Sequence, residues 1–539
     1  ALPISCTPHS LQNKRDEQDE HPQPDTMSSA PSSSSSSFDG RPSSAEHLAP
    51  FLRADWGPPP IEGRRTKIVC TLGPATQSLE KIEALLAAGM NVCRLNFSHG
   101  SHEYHAKTIS NVREVCDKTR RVCAILLDTK GPEIRTGKLE NGKEVRLQAG
   151  DPILLTTDQS EPGNQDRITV DYKNLPKVMD VNGTILVDDG LISLTVLEKV
   201  SDTDLLCRVE NSGLLGETKG VNLPGVVVDL PALMEKDVAD ILFGVEQGVD
   251  IIAASFIRKA SDVQEIREVL GHKGEHIKII AKIENQEGLD NFQEILEVAD
   301  GIMIARGDLG VEIPIEKVGL AQKMMTRACN VVGKPVITAT QMLETMITNP
   351  RPTRAEASDV TNAVMDGTDA VMLSGETAKG AYPVEAVKMM ASICLNAESA
   401  FDYRGAFENV RRFMATQSMS VSDALTAAAV TTANDLSAGL IITLTETGNT
   451  ARLVAKYRPQ APIFCITSHK DVGRQLLLSR SVFPVVVGTL VGVDNVISRT
   501  IDMAKRKGVV KKGDFVVVTS GMKTGPSGLS NIMKVLVVE

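Results

Sequence analysis

With 539 residues, 42% of them hydrophobic, the chain has material for roughly three or four domains with sizeable cores. Aromatic residues make up only 3%, so small and branched aliphatics must build those cores, as in buried parallel sheets. The formal net charge of -10 argues against a duplex nucleic-acid binder, whose footprint is a basic patch, and no apolar run reaches the roughly 18 residues of a membrane helix.

Residues 1–65 differ from the rest. Ser32 to Ser37 is a serine run set in Pro-, Ser-, Asp- and Glu-rich sequence. Such sequence buries too little apolar surface to offset chain entropy, so a disordered tail is expected. Glu17, Asp19 and Glu20 argue against an organellar transit peptide, a segment normally poor in acids. The first methionine is Met27, and whether residues 1–26 belong to the natural protein stays open. The nine cysteines, Cys70, Cys93, Cys123 and Cys329 among them, are scattered and free of CxxC pairs. They predict reduced core thiols in a cytoplasmic protein rather than disulfides or zinc ligands.

From Lys67 onward apolar strand candidates recur, at Lys67–Leu72, Val92–Phe97, Val122–Leu127, Asp250–Phe256, Ile277–Ile283, Gly301–Ala305, Pro335–Thr340 and Ala370–Leu373. Helical stretches such as Ser78–Ala88, Ser261–Leu270, Leu289–Val298 and Ile315–Val332 separate most of them. The pattern predicts an α/β fold, a (β/α)8 barrel; an open doubly wound sheet is the alternative that a count of eight disfavours. A long stretch of different texture separates the third and fourth strands. Within it Thr184–Val187, Ser193–Lys199 and Asp204–Glu210, with turns at Asn182-Gly183 and Asp189-Gly190, predict an inserted all-β module placed to act as a lid. After about residue 405 helices alternate with Leu440–Thr445, Pro462–Thr467, Phe483–Val487, Phe515–Thr519 and Lys534–Val538, a C-terminal α/β domain. The expected organisation is a disordered tail over 1–65, a barrel over 66–131 and 232–404, a β lid over 132–231, and a C-terminal domain over 405–539.

The strand tips carry the chemistry. Ala281-Lys282-Ile283-Glu284-Asn285 and Ala305-Arg306-Gly307-Asp308-Leu309-Gly310 each end an apolar run in a charged cluster. Glu284 and Asp308 offer hard oxygens for Mg2+ or Mn2+, and Lys282, two residues before Glu284 on one strand face, is placed to neutralise a phosphoryl group in transit. Gly307 and Asp308 open a short helix whose N–H groups suit an anion. Other tips add Arg94, Asn96, Ser98 and His99, then Asp128-Thr129-Lys130-Gly131-Pro132-Glu133-Ile134-Arg135, then Thr340 and Ser374-Gly375-Glu376. Arginine suits phosphate, while amide and hydroxyl oxygens suit a weakly hydrated cation. Taken singly, each of these charges fits a rim salt bridge, His99 a surface histidine and Thr340 a helix cap.

Together these segments, in order from about Lys67 to Glu539, resemble the pyruvate kinase family, most specifically in Lys282 to Glu284 and Arg306 to Pro314. The resemblance implies phosphoryl transfer from phosphoenolpyruvate to ADP, giving pyruvate and ATP. It implies that Glu284 and Asp308 bind the divalent ion, that Lys282 stabilises the phosphoryl group in flight, and that Arg94 holds the substrate phosphate. Gly307, Asp308 and Thr340 would hold the carboxylate, with Thr340 near the enolate to be protonated. Asn96, Ser98, Asp128 and Thr129 match a K+ site; His99, Arg135 and Lys219 match nucleotide contacts. Barrel, β lid, C-terminal domain and homotetrameric assembly are what the family leads one to expect.

Two further expectations concern regulation and the monovalent ion. Thr445, Glu446, Thr447, Gly448, Asn449 and Thr450 follow a strand and open a helix, a geometry that suits either a phosphate or a simple cap. In the family this loop holds a phosphate of an allosteric sugar phosphate. Glu446 stands where some relatives activated by fructose 1,6-bisphosphate carry lysine, so a monophosphate effector is expected instead. Glu133 resembles the K+-dependent group, since relatives with lysine at that position supply the positive charge covalently.

Overall fold

The computed structural model describes residues 63–415, 419–521 and 531–539. The serine run and most of the expected tail lie outside them. Eight parallel strands close into a barrel in chain order: β1 (Lys67–Thr71), β2 (Val92–Asn96), β3 (Ala124–Asp128), β4 (Ile251–Ala254), β5 (Lys278–Ile283), β6 (Gly301–Ala305), β7 (Val336–Ala339) and β8 (Ala370–Leu373), which returns to β1. Because alternate residues of a strand face opposite ways, two cores result. Val69, Val92, Leu126, Ile251, Ile280 and Met303 fill the interior, while Ile68, Leu95, Ile125, Leu127 and Ile279 pack outward against the helices. The aliphatic composition follows: both faces of every strand are buried.

Local signals fix the helices. Ser78 caps the helix Leu79–Ala88 by accepting from the Lys81 amide, and Gly89, at φ 121°, ends it where a side chain would be strained. Thr353 and Glu356 form a reciprocal capping box on Arg354–Asp366.

Between β3 and β4 the chain builds a seven-stranded sheet and a two-stranded ribbon around a core of its own. The sequence pattern foresaw three of these strands. Most of the rest, such as Val145–Leu147, Arg167–Thr169 and Gly220–Asn222, are three residues long, too short for alternation to register. A four-residue α-helix, Leu175–Val178, and a 3-10 turn, Glu140–Gly142, interrupt the module among its described residues. Its tight turns fall at Asn182 (φ 69°) and Asp189-Gly190 (φ 54° and 82°).

The C-terminal part carries a five-stranded sheet ordered Val482–Val486, Ile463–Thr467, Leu440–Leu444, Phe515–Ser520 and Ile532–Val537, the last antiparallel. It abuts the barrel's N-terminal end, where Leu477 and Leu478 join the interior core. Eight described cysteines are free and seven are buried. No described helix is long and apolar enough to cross a membrane.

Candidate active site

The carboxyl ends of β2 to β7 converge on a cluster of buried charge. Arg94 Nε donates to Asp128 Oδ2 at 2.6 Å, and Arg94 Nη1 to the Thr71 hydroxyl at 2.9 Å. Lys282 directs its ammonium at three acceptors: Asp128 Oδ1 (3.1 Å), Ser255 Oγ (2.6 Å) and Glu284 Oε1 (2.9 Å). The other Glu284 oxygen accepts from the Phe256 amide, in a backbone held at φ 55°. All of these residues but Phe256 are at most 8% exposed. Arg94, Asp128, Lys282 and Glu284, chosen from sequence, therefore share one network.

The electrostatics divide that network. Burial opposes the Asp128 carboxylate, but Arg94 and Lys282 hold it below the ordinary aspartate value. Burial also opposes the Lys282 charge, and the Asp128 and Glu284 carboxylates more than restore it. Glu284 goes the other way: burial pushes it up to about 7 against Lys282, and Asp308 adds to the rise. Asp308 is raised by burial, with Lys282 opposing and Asp189 of the lid reinforcing. Two cations, Arg94 and Lys282, face three carboxylates, Asp128, Glu284 and Asp308. Glu284 and Asp308, near enough for Asp308 to raise Glu284, are left short of positive charge.

That shortage tests whether a divalent ion fits. Among the described residues no group of three or more His, Cys, Asp or Glu side chains is spaced to hold a metal alone. Two adjacent carboxylates short of countercharge suit a hard cation that takes its remaining ligands from substrate and water, as Mg2+ and Mn2+ do. The monovalent candidates adjoin them. Asn96 and Asp128 are register partners on β2 and β3; Asn96 Oδ1 accepts from the Ser98 amide at 3.1 Å, and Thr129 follows Asp128. One carboxylate with amide and hydroxyl oxygens suits a weakly hydrated cation.

Thr340 does not cap the next helix. At φ 68°, in the left-handed region, its hydroxyl accepts from the Gly307 amide at 2.7 Å, joining the tips of β6 and β7. Arg306, counted with the charged cluster in the sequence, proves to be a clamp. It forms a two-pronged pair with Asp359 (2.6 Å each) and donates to the Ala339 and Thr340 carbonyls.

Among the nucleotide candidates, His99 is exposed on the loop after β2, its carbonyl 2.8 Å from His105 Nε2. Arg135 and Lys219 meet at the root of the lid. Arg135 pairs with Glu133 and donates to Thr218 O at 2.7 Å; Lys219 pairs with Asp188 at 3.0 Å. Glu133, which alone fits a solvated loop, is thus ion-paired. A cleft lined by Glu133, Asp189, Asn222, Phe256, Asp308 and Glu312 among others opens between lid and barrel.

In the C-terminal domain Thr445 Oγ1 accepts from the Gly448 amide at 2.9 Å, and Gly448, at φ 81°, leads into the helix Asn449–Lys456. Thr450 is buried in its first turn, whereas Glu446 and Thr447 are exposed.

Ser255 escaped the sequence reading. Buried at the end of β4, it receives Lys282 and donates to the Thr129 carbonyl at 2.7 Å. The available signal was a lone hydroxyl closing the apolar run Ile251-Ile252-Ala253-Ala254, next to charged tips on the following strands.

Buried cations, paired carboxylates and a hydroxyl gathered at the strand tips of a closed barrel suit the phosphoryl-transfer class of enzyme. Residues 63–387 match the family model described as pyruvate kinase, barrel domain, and residues 423–536 that described as pyruvate kinase, alpha/beta domain. A Dictyostelium discoideum pyruvate kinase is 55% identical over 497 residues, covering 91% of this chain and 98% of that protein. The human pyruvate kinase PKLR is 52% identical, over 88% of this chain and 85% of its own. A solved pyruvate kinase from Cryptosporidium parvum superposes with a TM-score of 0.85 at 45% identity, covering 89% and 97%. The chain belongs to the pyruvate kinase family, and it is an enzyme of that kind, a transferase.

Proposed function

We propose that the chain transfers the phosphoryl group of phosphoenolpyruvate to ADP, releasing pyruvate and ATP, with the residues of the barrel tips in the following roles. Glu284 and Asp308 hold a divalent ion, Mg2+ or Mn2+, and Asn96, Ser98, Asp128 and Thr129 a K+. When bound, these cations supply the positive charge that the tips lack. Arg94 grips the substrate phosphate. Lys282 keeps its ammonium beside the group in transit, where developing charge is largest. Gly307, Asp308 and Thr340 hold the carboxylate, and Thr340, whose hydroxyl accepts from the Gly307 amide at 2.7 Å, is the group assigned to the neighbourhood of the enolate that takes the proton. His99, Arg135 and Lys219 contact the nucleotide, the last two carried by the lid. The observation that supports this reading best is Lys282, buried and shared by Asp128, Ser255 and Glu284.

The same reading extends to regulation and assembly. The loop Thr445, Thr447, Gly448, Asn449 and Thr450 binds a phosphorylated metabolite, and the exposed Glu446 carboxylate favours a sugar monophosphate over a bisphosphate. Leu320 and Met324, one turn apart on the helix Ile315–Val332, are 70% and 46% exposed. This apolar row suits contact with another copy of the chain, and the homotetramer is what the family resemblance implies. A cytoplasmic location is in keeping with a Glycine max relative, 48% identical over 89% of this chain and 97% of its own, whose name is pyruvate kinase, cytosolic isozyme.

A coupled assay of pyruvate formation tests the reading. Activity is expected to require both Mg2+ and K+, the latter tested against a bulky organic cation at equal ionic strength, and Glu133→Lys should relax the K+ requirement. Full activity without any small monovalent cation would refute the K+ assignment. Run with effectors, the assay should show stronger activation by a hexose monophosphate than by fructose 1,6-bisphosphate; the reverse order contradicts the Glu446 argument.

A further inference from the structure

The first turn of the helix Glu235–Gln247, which follows the lid's return to the barrel, holds three things at once. Asp237 is fully buried. Its Oδ1 accepts from the Gly131 amide at 2.9 Å, and its Oδ2 from the Met234 amide at 3.0 Å. Gly131 lies on the chain leaving the barrel for the lid and Met234 on the chain coming back, so one carboxylate ties both strands of the hinge. A capping interaction accounts for the bond to Met234; it does not account for the bond to Gly131.

Gly131 is confined on its other side as well. At φ +73° it occupies the left-handed region, and a Cβ there would come within 2.8 Å of Ser255 Cβ and 2.9 Å of Phe256 Cδ2. The returning chain is fixed by the buried Arg258, which donates to the carbonyls of Val228 (3.0 Å), Leu230 (2.5 Å) and Pro231 (3.2 Å).

Lys236, next to Asp237, reaches the opposite way. Its ammonium donates to the Phe97 carbonyl at 2.9 Å, between Asn96 and Ser98 and two residues before His99. Asp240 steadies it: Oδ2 lies 2.5 Å from Lys236 Nζ, and Oδ1 lies 2.7 Å from His102 Nε2. Asp240 is 1% exposed, so this is not the solvated helix-face pair that its i,i+4 spacing would suggest.

We infer that Lys236 and Asp237 are positioning residues that latch the lid hinge to the loop Asn96–His99, so that the lid groups Arg135 and Lys219 and the barrel group His99 are brought to one nucleotide together. The inference rests on the reading of those three residues as nucleotide contacts. Removing the ammonium frees the Phe97 carbonyl and loosens the loop, while the substrate-phosphate groups Arg94 and Lys282 keep their own partners on β3, β4 and β5. Loss therefore falls first on ADP, and because the K+ ligands Asn96 and Ser98 flank Phe97 the comparison is made at saturating K+.

Lys236→Met, which keeps the stem, is expected to raise KM for ADP about tenfold, the worth of one charge-assisted hydrogen bond, with KM for phosphoenolpyruvate unchanged within about twofold. Lys236→Arg should recover most of the loss. In Asp237→Asn, hydrogen–deuterium exchange should quicken in residues 224–234 without added ligand. The controls are Lys219→Met and His99→Ala. If these raise KM for ADP while Lys236→Met does not, or moves both KM values equally, the latch is overturned and the nucleotide reading stands. If neither control raises it, the nucleotide reading falls and the latch with it.

Discussion

Both ends of the barrel bury charge, yet they bury it differently. At the N-terminal floor Asp369, 4% exposed, accepts from Arg458 through both oxygens (2.7 and 3.0 Å), from the Arg480 amide at 3.0 Å and from the Val336 amide at 3.2 Å. Asp250 receives the Ile125 amide (2.8 Å), Arg113 (3.3 Å) and Arg474 (2.5 Å). Glu398 takes the amides of Arg65 and Thr66. Each floor carboxylate is met by backbone N–H groups, and Asp250 and Asp369 by a guanidinium from the C-terminal domain as well. At the tips Glu284 is pushed up to about 7 by burial; it has the Phe256 amide, but its one cation, Lys282, is shared with Asp128, and Asp308 stands against it. Buried charge alone therefore does not mark a site. Charge left short of partners does, because that deficit is what a metal and a phosphoryl group can make good.

The largest expected effect follows from the tips. Lys282→Met removes the cation that Asp128 and Glu284 share at the point where charge develops, while Arg94 keeps its hold on Asp128. Turnover should fall by roughly a hundredfold to a thousandfold with KM for phosphoenolpyruvate little changed, as for loss of a group acting chiefly in the transition state. Steady-state kinetics decide it; near-normal turnover sinks the assigned role.

The floor should answer with stability instead. Asp369→Asn leaves Arg458 buried without its carboxylate, a change that costs about 3–5 kcal/mol when a buried pair is broken. The midpoint of cooperative unfolding should drop clearly, while turnover of the folded enzyme stays within about threefold. An unchanged midpoint, or a turnover loss like that of Lys282→Met, would erase the distinction between the two ends.

The sequence made the tips legible and left the floor dark, for a physical reason. Lys282, Glu284 and Asp308 interrupt apolar runs at strand ends, where period-2 reading assigns them a shared face. Asp250, Asp300 and Asp369 precede β4, β6 and β8 and carried no signal of their own, Asp250 only opening a strand candidate, because their partners Arg474, Arg267 and Arg458 are distant in the chain or lie on unrelated elements. Ser255 was missed for the opposite reason: it carries no charge, and its importance lies in three contacts made across strands. Arg306 was misjudged because spacing gives a side chain's face but not its direction, and Asp359 draws it behind Thr340. The short lid strands were lost where alternation had too few residues to show.

The smallest predicted effect concerns Lys67, the floor group whose acceptors are a carbonyl and a ring. It is 1% exposed, its ammonium donates to Val482 O at 2.6 Å, and it lies 4.2 Å over the Phe483 ring. Burial, then the nearby Arg64 charge, lower it to about 7, with Glu398 and Asp369 opposing. A folded value below the unfolded one means that between about pH 7 and 10.5 the unfolded chain holds one proton more. The burden of the buried ammonium is thus full below about 7 and is relieved as pH climbs through that window. Relative to Lys67→Met, which keeps the stem on the ring, the unmodified enzyme should gain up to about 1 kcal/mol per pH unit from pH 7 to 9. Denaturant midpoints of both proteins at pH 7, 8 and 9 measure this difference, and parallel pH curves would show that Val482 and Phe483 solvate the charge as well as water does. Such a result would extend the rule of satisfied charge at the floor to a cation held by a carbonyl and a ring.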